Sequence, residues 1–270
     1  MLRVSIRPAE LRIGSRLAIS LHRTLRVPDD GRRYPLPPTL GAFELRPVGK
    51  FAKKLPAEIA KSGGAFAAIH NREALWIFFE GTSWKPNAVQ IEAGGVNAVT
   101  GEPFGGGLSG KPQNYVVAPL QPWLDGFKSA DGVVRQFVAA PLGAADAGGG
   151  GLRFRVFEPK PGIFPARAPA NAYAYATREL PPMGLGAGGA IEQKIYPDPH
   201  GVPVWDQRNS GDATVHLLHP RDYERVTGEA PPATPIDAAT YTKHGLPWFE
   251  IYDDRADLSA AERLRRVRPV

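Results

Sequence analysis

The stretch LAISLHRTLRV, residues 17–27, alternates apolar and polar side chains. Leu17, Ile19, Leu21, Leu25 and Val27 fall on one face, and Ser20, His22, Thr24 and Arg26 on the other. A period of two belongs to a half-buried β-strand, because successive side chains of an extended chain point to opposite sides. Upstream, Leu2, Val4 and Ile6 alternate with Arg3, Ser5 and Arg7 in the same way. Downstream, PDDGRRYPLPPTLG at 28–41 breaks the pattern with proline and glycine, which rule out regular structure and predict an extended excursion.

Further strands are predicted at 66–69, 75–79, 88–91, 96–99, 115–118, 133–138, 152–157 and 190–195, and in 152–157 Leu152, Phe154 and Val156 face one way and Arg153 and Arg155 the other. Residues 70–73 (HNRE) offer a turn that would make 66–69 and 75–79 a hairpin. Residues 92–95 (EAGG) offer a better one, since consecutive glycines accept the positive φ of tight turns. Helical signals are few and late. Pro220 can open a helix that Gly228 stops, and Thr234-Pro235 can open another that ends near Gly245. Ser259 and Glu262 form a capping box for a short basic helix over 259–268. Many short strands separated by turns predict a mainly β chain, an antiparallel β-sandwich with a few short C-terminal helices. Residues 1–270 read as one β-rich unit.

Composition narrows the function classes. The 270 residues contain no cysteine, which excludes disulfide scaffolds, thiolate metal sites and thiol nucleophiles. Thirty glycines and 28 prolines disfavour a helical bundle. The longest strongly apolar run, 74–79, is far below the roughly 20 residues of a membrane span, and the first residues lack a signal-peptide pattern. A soluble, cytoplasmic protein is expected. Net charge is +6 but unevenly spread. Residues 1–54 hold 12 basic and 4 acidic side chains, and 259–270 hold Arg263, Arg265, Arg266 and Arg268 against Glu262. Such termini could dock on an anionic surface or on the acidic middle of a second copy, although no nucleic-acid motif accompanies them.

The chemistry-bearing motifs are sparse. GLGAGG at 184–189 lacks the spacing and the strand–turn–helix setting of a dinucleotide loop. Ser109 is not in a nucleophile elbow. His216 and His219 fall on opposite faces of a strand. In YPDPHG, 196–201, Asp198 and His200 sit on a stiff loop. With Asp206 they could converge on a divalent metal, although no cofactor is otherwise predicted. In QPWLDG, 121–126, Asp125 adjoins Trp123, and Asp131 and Arg135 follow. A carboxylate pair beside an aromatic platform suits a sugar site, with Trp205 and Asp206 as further ligand-binding candidates. Arg135, flanked by apolar residues, needs a carboxylate such as Asp125 or Asp131 if buried.

Four segments resemble a family of uncharacterised bacterial and fungal proteins. They are HRTLRVPDDG at 22–31 with the YPLPPTLG that follows it, NREALW at 71–76, QPWLDG with GVVRQFVAAPLG at 132–143, and QKIYPDPHG at 193–201 with Trp205-Asp206. The resemblance implies that most of the chain is one family unit, and it carries no activity or catalytic residue. After the PLG segment the family pattern continues into a strand and a TG turn, where this chain has the glycine-rich 143–151. The expected function is non-enzymatic binding or self-assembly. The alternatives are a carbohydrate-active or sugar-binding protein using Asp and Trp residues, and a binder of anionic surfaces through the basic termini.

Overall fold

In a computed structural model, the structure describes residues 1–27, 37–70, 73–128, 134–139, 151–165, 193–233 and 238–245. The chain is mainly β, with two antiparallel-rich sheets and a few short helices. The opening stretch forms β3 (Leu17–Thr24), between β2 (Glu10–Ile13) and β6 (Ala74–Glu80). Outside β2 lies β1 (Val4–Arg7). On the far side, β6 pairs with both β10 (Trp123–Leu124) and β12 (Val134–Val138), and β12 carries β11 (Gly126–Lys128) at the edge. The second sheet runs β4 (Arg46–Pro47), β5 (Ala65–Ala68), β14 (Trp205–Leu218), β13 (Gly151–Pro159), β7 (Asn87–Ala93) and β8 (Val96–Asn97), with β9 (Val116–Ala118) also on β7.

One apolar core draws on both sheets. Leu17, Ile19, Leu21, Ile77 and Phe79 from the first meet Val89, Ile91, Phe154, Val156 and Val215 from the second. The alternation read from the sequence places these side chains inward. Arg23 follows Leu21 by two and is buried as well, which the apolar pattern does not announce. Its guanidinium Nε donates to Glu73 Oε1 at 2.7 Å and stacks over Phe43, while Glu73 Oε2 accepts the His70 amide. An ion pair taken out of water is tolerated only when its hydrogen bonds are completed in this way.

One expectation is corrected. The runs at 66–69 and 75–79 do not form a hairpin. They become β5 in the second sheet and β6 in the first, so the chain between them crosses from one sheet to the other. Nearly every residue in both strands is apolar and buried, so no alternation marks a solvent face and local sequence cannot fix the partner. Within these antiparallel-rich sheets β5 runs parallel to β14. The EAGG turn does join β7 to β8 as an antiparallel pair, with Gly94 and Gly95 at φ 64° and 78°.

Four helices are described. α1 (Val48–Phe51) and α2 (Ala57–Ser62) precede β5. α3 (Pro220–Thr227) opens on proline, stops at Gly228, and packs Tyr223 and Val226 against Val48, Phe66 and Leu218. α4 (Ala238–Lys243) ends before Gly245. The expected basic helix at 259–268, the glycine-rich 184–189 and most of the excursion at 28–41 lie outside the described residues.

Candidate binding surface

The polar segment after residue 192 organises the most distinctive surface. Strand was expected at 190–195. Residues 190–192 lie outside the described residues, and 193–198 run without a strand ladder. Three glutamine side chains serve instead. Gln121 Nε2 donates to the carbonyls of Trp123 and Lys194, and its Oε1 accepts the Tyr196 amide at 3.0 Å. Gln113 Nε2 donates to the Tyr196 carbonyl, and its Oε1 accepts the Asp198 amide at 2.8 Å. Gln193 Oε1 accepts the amides of Asp125 and Gly126 at 2.8 and 2.9 Å. A primary amide offers both donor and acceptor, so it can stand in for a neighbouring backbone.

Around the Gln121 strap, Leu120, Trp123 and Tyr196 are 45%, 37% and 39% exposed, and Lys194 Nζ lies 5.5 Å over the Tyr196 ring. Behind this aromatic surface, Gln193, Ile195 and Pro197 line an open cleft of about 660 Å³. Their spacing of two is that of an extended chain presenting one side. Opposite them stand Val99, Thr100 and Glu102, after β8, and Lys128 and Val134 from β11 and β12. The Lys128 amide donates to the Ala98 carbonyl at 2.9 Å, so the cleft lies where an edge of one sheet meets an edge of the other.

Asp125 sits where the chain transfers from β6 to β12. Leu124 and Phe127 both pack on the core, three residues apart rather than two, so alternation breaks at Asp125-Gly126. A side chain at Gly126 would place its Cβ 2.0 Å from the Arg135 carbonyl oxygen, which explains the glycine. Asp125 is 6% exposed, and its Oδ1 is buried without a hydrogen-bond partner. Burial pushes this carboxyl up to about 7. Arg135 is half-buried in β12 opposite Phe127, and Asp131 lies outside the described residues.

Asp198 is a different kind of carboxylate. Its Oδ2 accepts from Tyr115 Oη at 2.5 Å and Trp205 Nε1 at 2.8 Å, and its Oδ1 accepts the His200 amide at 2.8 Å. Burial by itself would raise its pKa. The hydrogen bonds from Tyr115, Trp205 and the amides of His200 and Gly201 outweigh this and hold it below the usual carboxylate range. Burial and the same carboxylate push the Tyr115 phenol up. The His200 ring stands edge-on to Phe164 and Trp205. Trp205 itself is fully buried, with Leu108, Tyr115 and Phe157, so its ring offers no open platform.

Asp206 lines a separate, smaller cleft of about 300 Å³ with Lys85, Glu158 and Lys160, and accepts the Arg208 amide. Among the described residues no three His, Asp or Glu side chains gather as a metal site would require. Arg263, Arg265, Arg266 and Arg268 lie outside the described residues.

The structure thus leaves Trp123 exposed, as the sugar-site reading requires, and places Asp125 behind the cleft wall. Sequence reasoning missed Gln113 and Gln121 as straps and Tyr196 as a surface aromatic. Their roles depend on contacts 73 to 85 positions apart, for which the sequence carries no local signal. Among the described residues no helix is long and apolar enough to cross a membrane. Comparison with protein-family models, curated proteins and solved structures found no match to this chain.

Proposed function

We propose that this protein acts by binding another protein surface through the Leu120–Trp123–Tyr196 patch. The observation that carries this reading is the exposure of Leu120, Trp123 and Tyr196 on backbone segments that the Gln121 and Gln113 side chains tie together. Tryptophan and tyrosine dominate the energetics of protein interfaces, and a prefixed surface loses little entropy on association. The first partner to test is a second copy of the chain, because the basic residues of 1–54 suit a neighbour's more acidic middle. Native mass spectrometry and sedimentation at low ionic strength should show a multimer that Trp123→Ala dissociates. A monomer at high concentration that also captures no partner overturns the reading.

A second reading rests on the cleft beside the patch. Thr100, Glu102, Gln113, Lys128 and Gln193 are polar groups that line about 660 Å³. That lining suits a hydroxyl-rich ligand such as a neutral sugar chain held by hydrogen bonds. Titrating a panel of neutral oligosaccharides by calorimetry should give a saturable heat that Lys128→Ala removes.

A further inference from the structure

The outer face of the first sheet carries a polar cluster separate from the cleft. In β3, Ser20 Oγ lies 2.9 Å from His22 Nε2, and His22 Nδ1 lies 3.0 Å from Thr39 Oγ1. Thr39 Oγ1 also accepts the Gly41 amide at 3.1 Å, which fixes the hydroxyl in place. With Nδ1 protonated and donating to Thr39, Nε2 accepts the Ser20 hydroxyl proton. This is the arrangement of a nucleophile, its base and the group that orients the base. The imidazole stacks on Trp76 at 4.5 Å with 16° between planes, and burial lowers its pKa, so the ring is neutral at neutral pH and its lone pair is free to accept a proton.

Two further features point to a ligand. Trp76 Nε1, in the ring stacked on His22, is buried without a hydrogen-bond acceptor. Strand register sets Ser20 beside Phe78 and Phe78 beside Trp123, so one row across the sheet runs from the hydroxyl to the exposed indole. Two strand spacings separate the ends, about 10 Å.

We propose that Ser20 is an activated nucleophile with His22 as its base and Thr39 as a positioning residue, and that it takes acyl groups from esters bearing a flat apolar ring. Ser20 Oγ attacks the ester carbonyl carbon as its proton passes to His22 Nε2. The bond to the alcohol oxygen breaks, and that oxygen leaves with the proton from His22, or as a stable phenolate while His22 releases the proton to solvent. Water, deprotonated by the neutral His22, then attacks the acyl carbon, and His22 returns that proton to Ser20 Oγ as the acid leaves. This goes beyond the binding function and does not rest on it, because acylation of Ser20 needs no protein partner.

The test uses the full chain with p-nitrophenyl acetate. A burst of p-nitrophenolate is followed, and the acetylated residue is located by peptide mass mapping. The expected result is one acetyl group on Ser20, absent in Ser20→Ala and formed ~100-fold more slowly in His22→Gln. Thr39→Val should slow acylation and Thr39→Ser restore it. The wild-type rate should rise with pH through a group titrating below the ordinary histidine value. That profile reads the base without any variant. Acetyl groups only on other residues, a rate equal in His22→Gln, or a pH profile without that transition overturns the assignment.

Discussion

Asp125 shows what one carboxyl does when it loses water and gains no partner. Its native pKa is about 7 against an ordinary 3.8, so the folded chain holds this proton more tightly than the unfolded chain. Folding stability from this group is complete below the ordinary value and falls as pH rises toward the native one, with a size on the order of 4 kcal/mol. Asp125→Asn should therefore be more stable than the wild type at pH 8 and close to it near pH 4. Urea unfolding at the two pH values measures the difference, and an unchanged slope with pH would contradict the burial of an ionisable group there. Asp198 behaves oppositely, since its charge is already satisfied. Asp198→Asn keeps the shape but replaces an acceptor oxygen with a donor that faces either Tyr115 and Trp205 together or the His200 amide. It should cost about 1–3 kcal/mol in a thermal melt.

Among the elements, the strip at 193–198 depends on side chains that another strand would normally replace. Gln121→Ala leaves the Lys194 carbonyl and the Tyr196 amide without their donor and acceptor. Amide hydrogen exchange at Tyr196 should accelerate strongly while that of Ile77 in β6 stays slow. Equal protection of Tyr196 in the variant would show that something other than Gln121 fixes the strip. The ion pair of Arg23 on β3 with Glu73 ties β3 to the residue that leads into its neighbour β6. Removing one partner strands the other charge away from water, so Glu73→Gln should lower stability by about 3–5 kcal/mol.

For the whole molecule, pH response is a balance of buried groups. His216 Nε2 bonds Ser62 and Gly63, and Nδ1 is buried without a hydrogen-bond partner. Burial lowers its pKa against the opposing Gly63 hydrogen bond. The unfolded chain therefore binds this proton more readily, and stability is lost as pH falls below 6.5 toward the lowered value. Asp125 and His216 thus pull in opposite directions between pH 4 and 6.5. In Asp125→Asn, stability over that range should rise with pH, a slope that chemical unfolding across the range reads directly.

The sequence by itself determined the kind of element at many places. Alternation marked β3 and β13, paired glycines marked the β7–β8 turn, and Pro220 with Gly228 bounded α3. These follow from backbone sterics and from the two sides of a strand, which act over a few residues. Tertiary structure alone decided that β5 and β6 belong to different sheets, because strands buried on both faces carry no pattern naming a partner. It also decided the fates of chemically identical side chains. Asp125 and Asp198 differ only in which distant donors reach them. Trp123 and Trp205 differ only in what covers them, since exposure is set by packing between segments far apart in the chain.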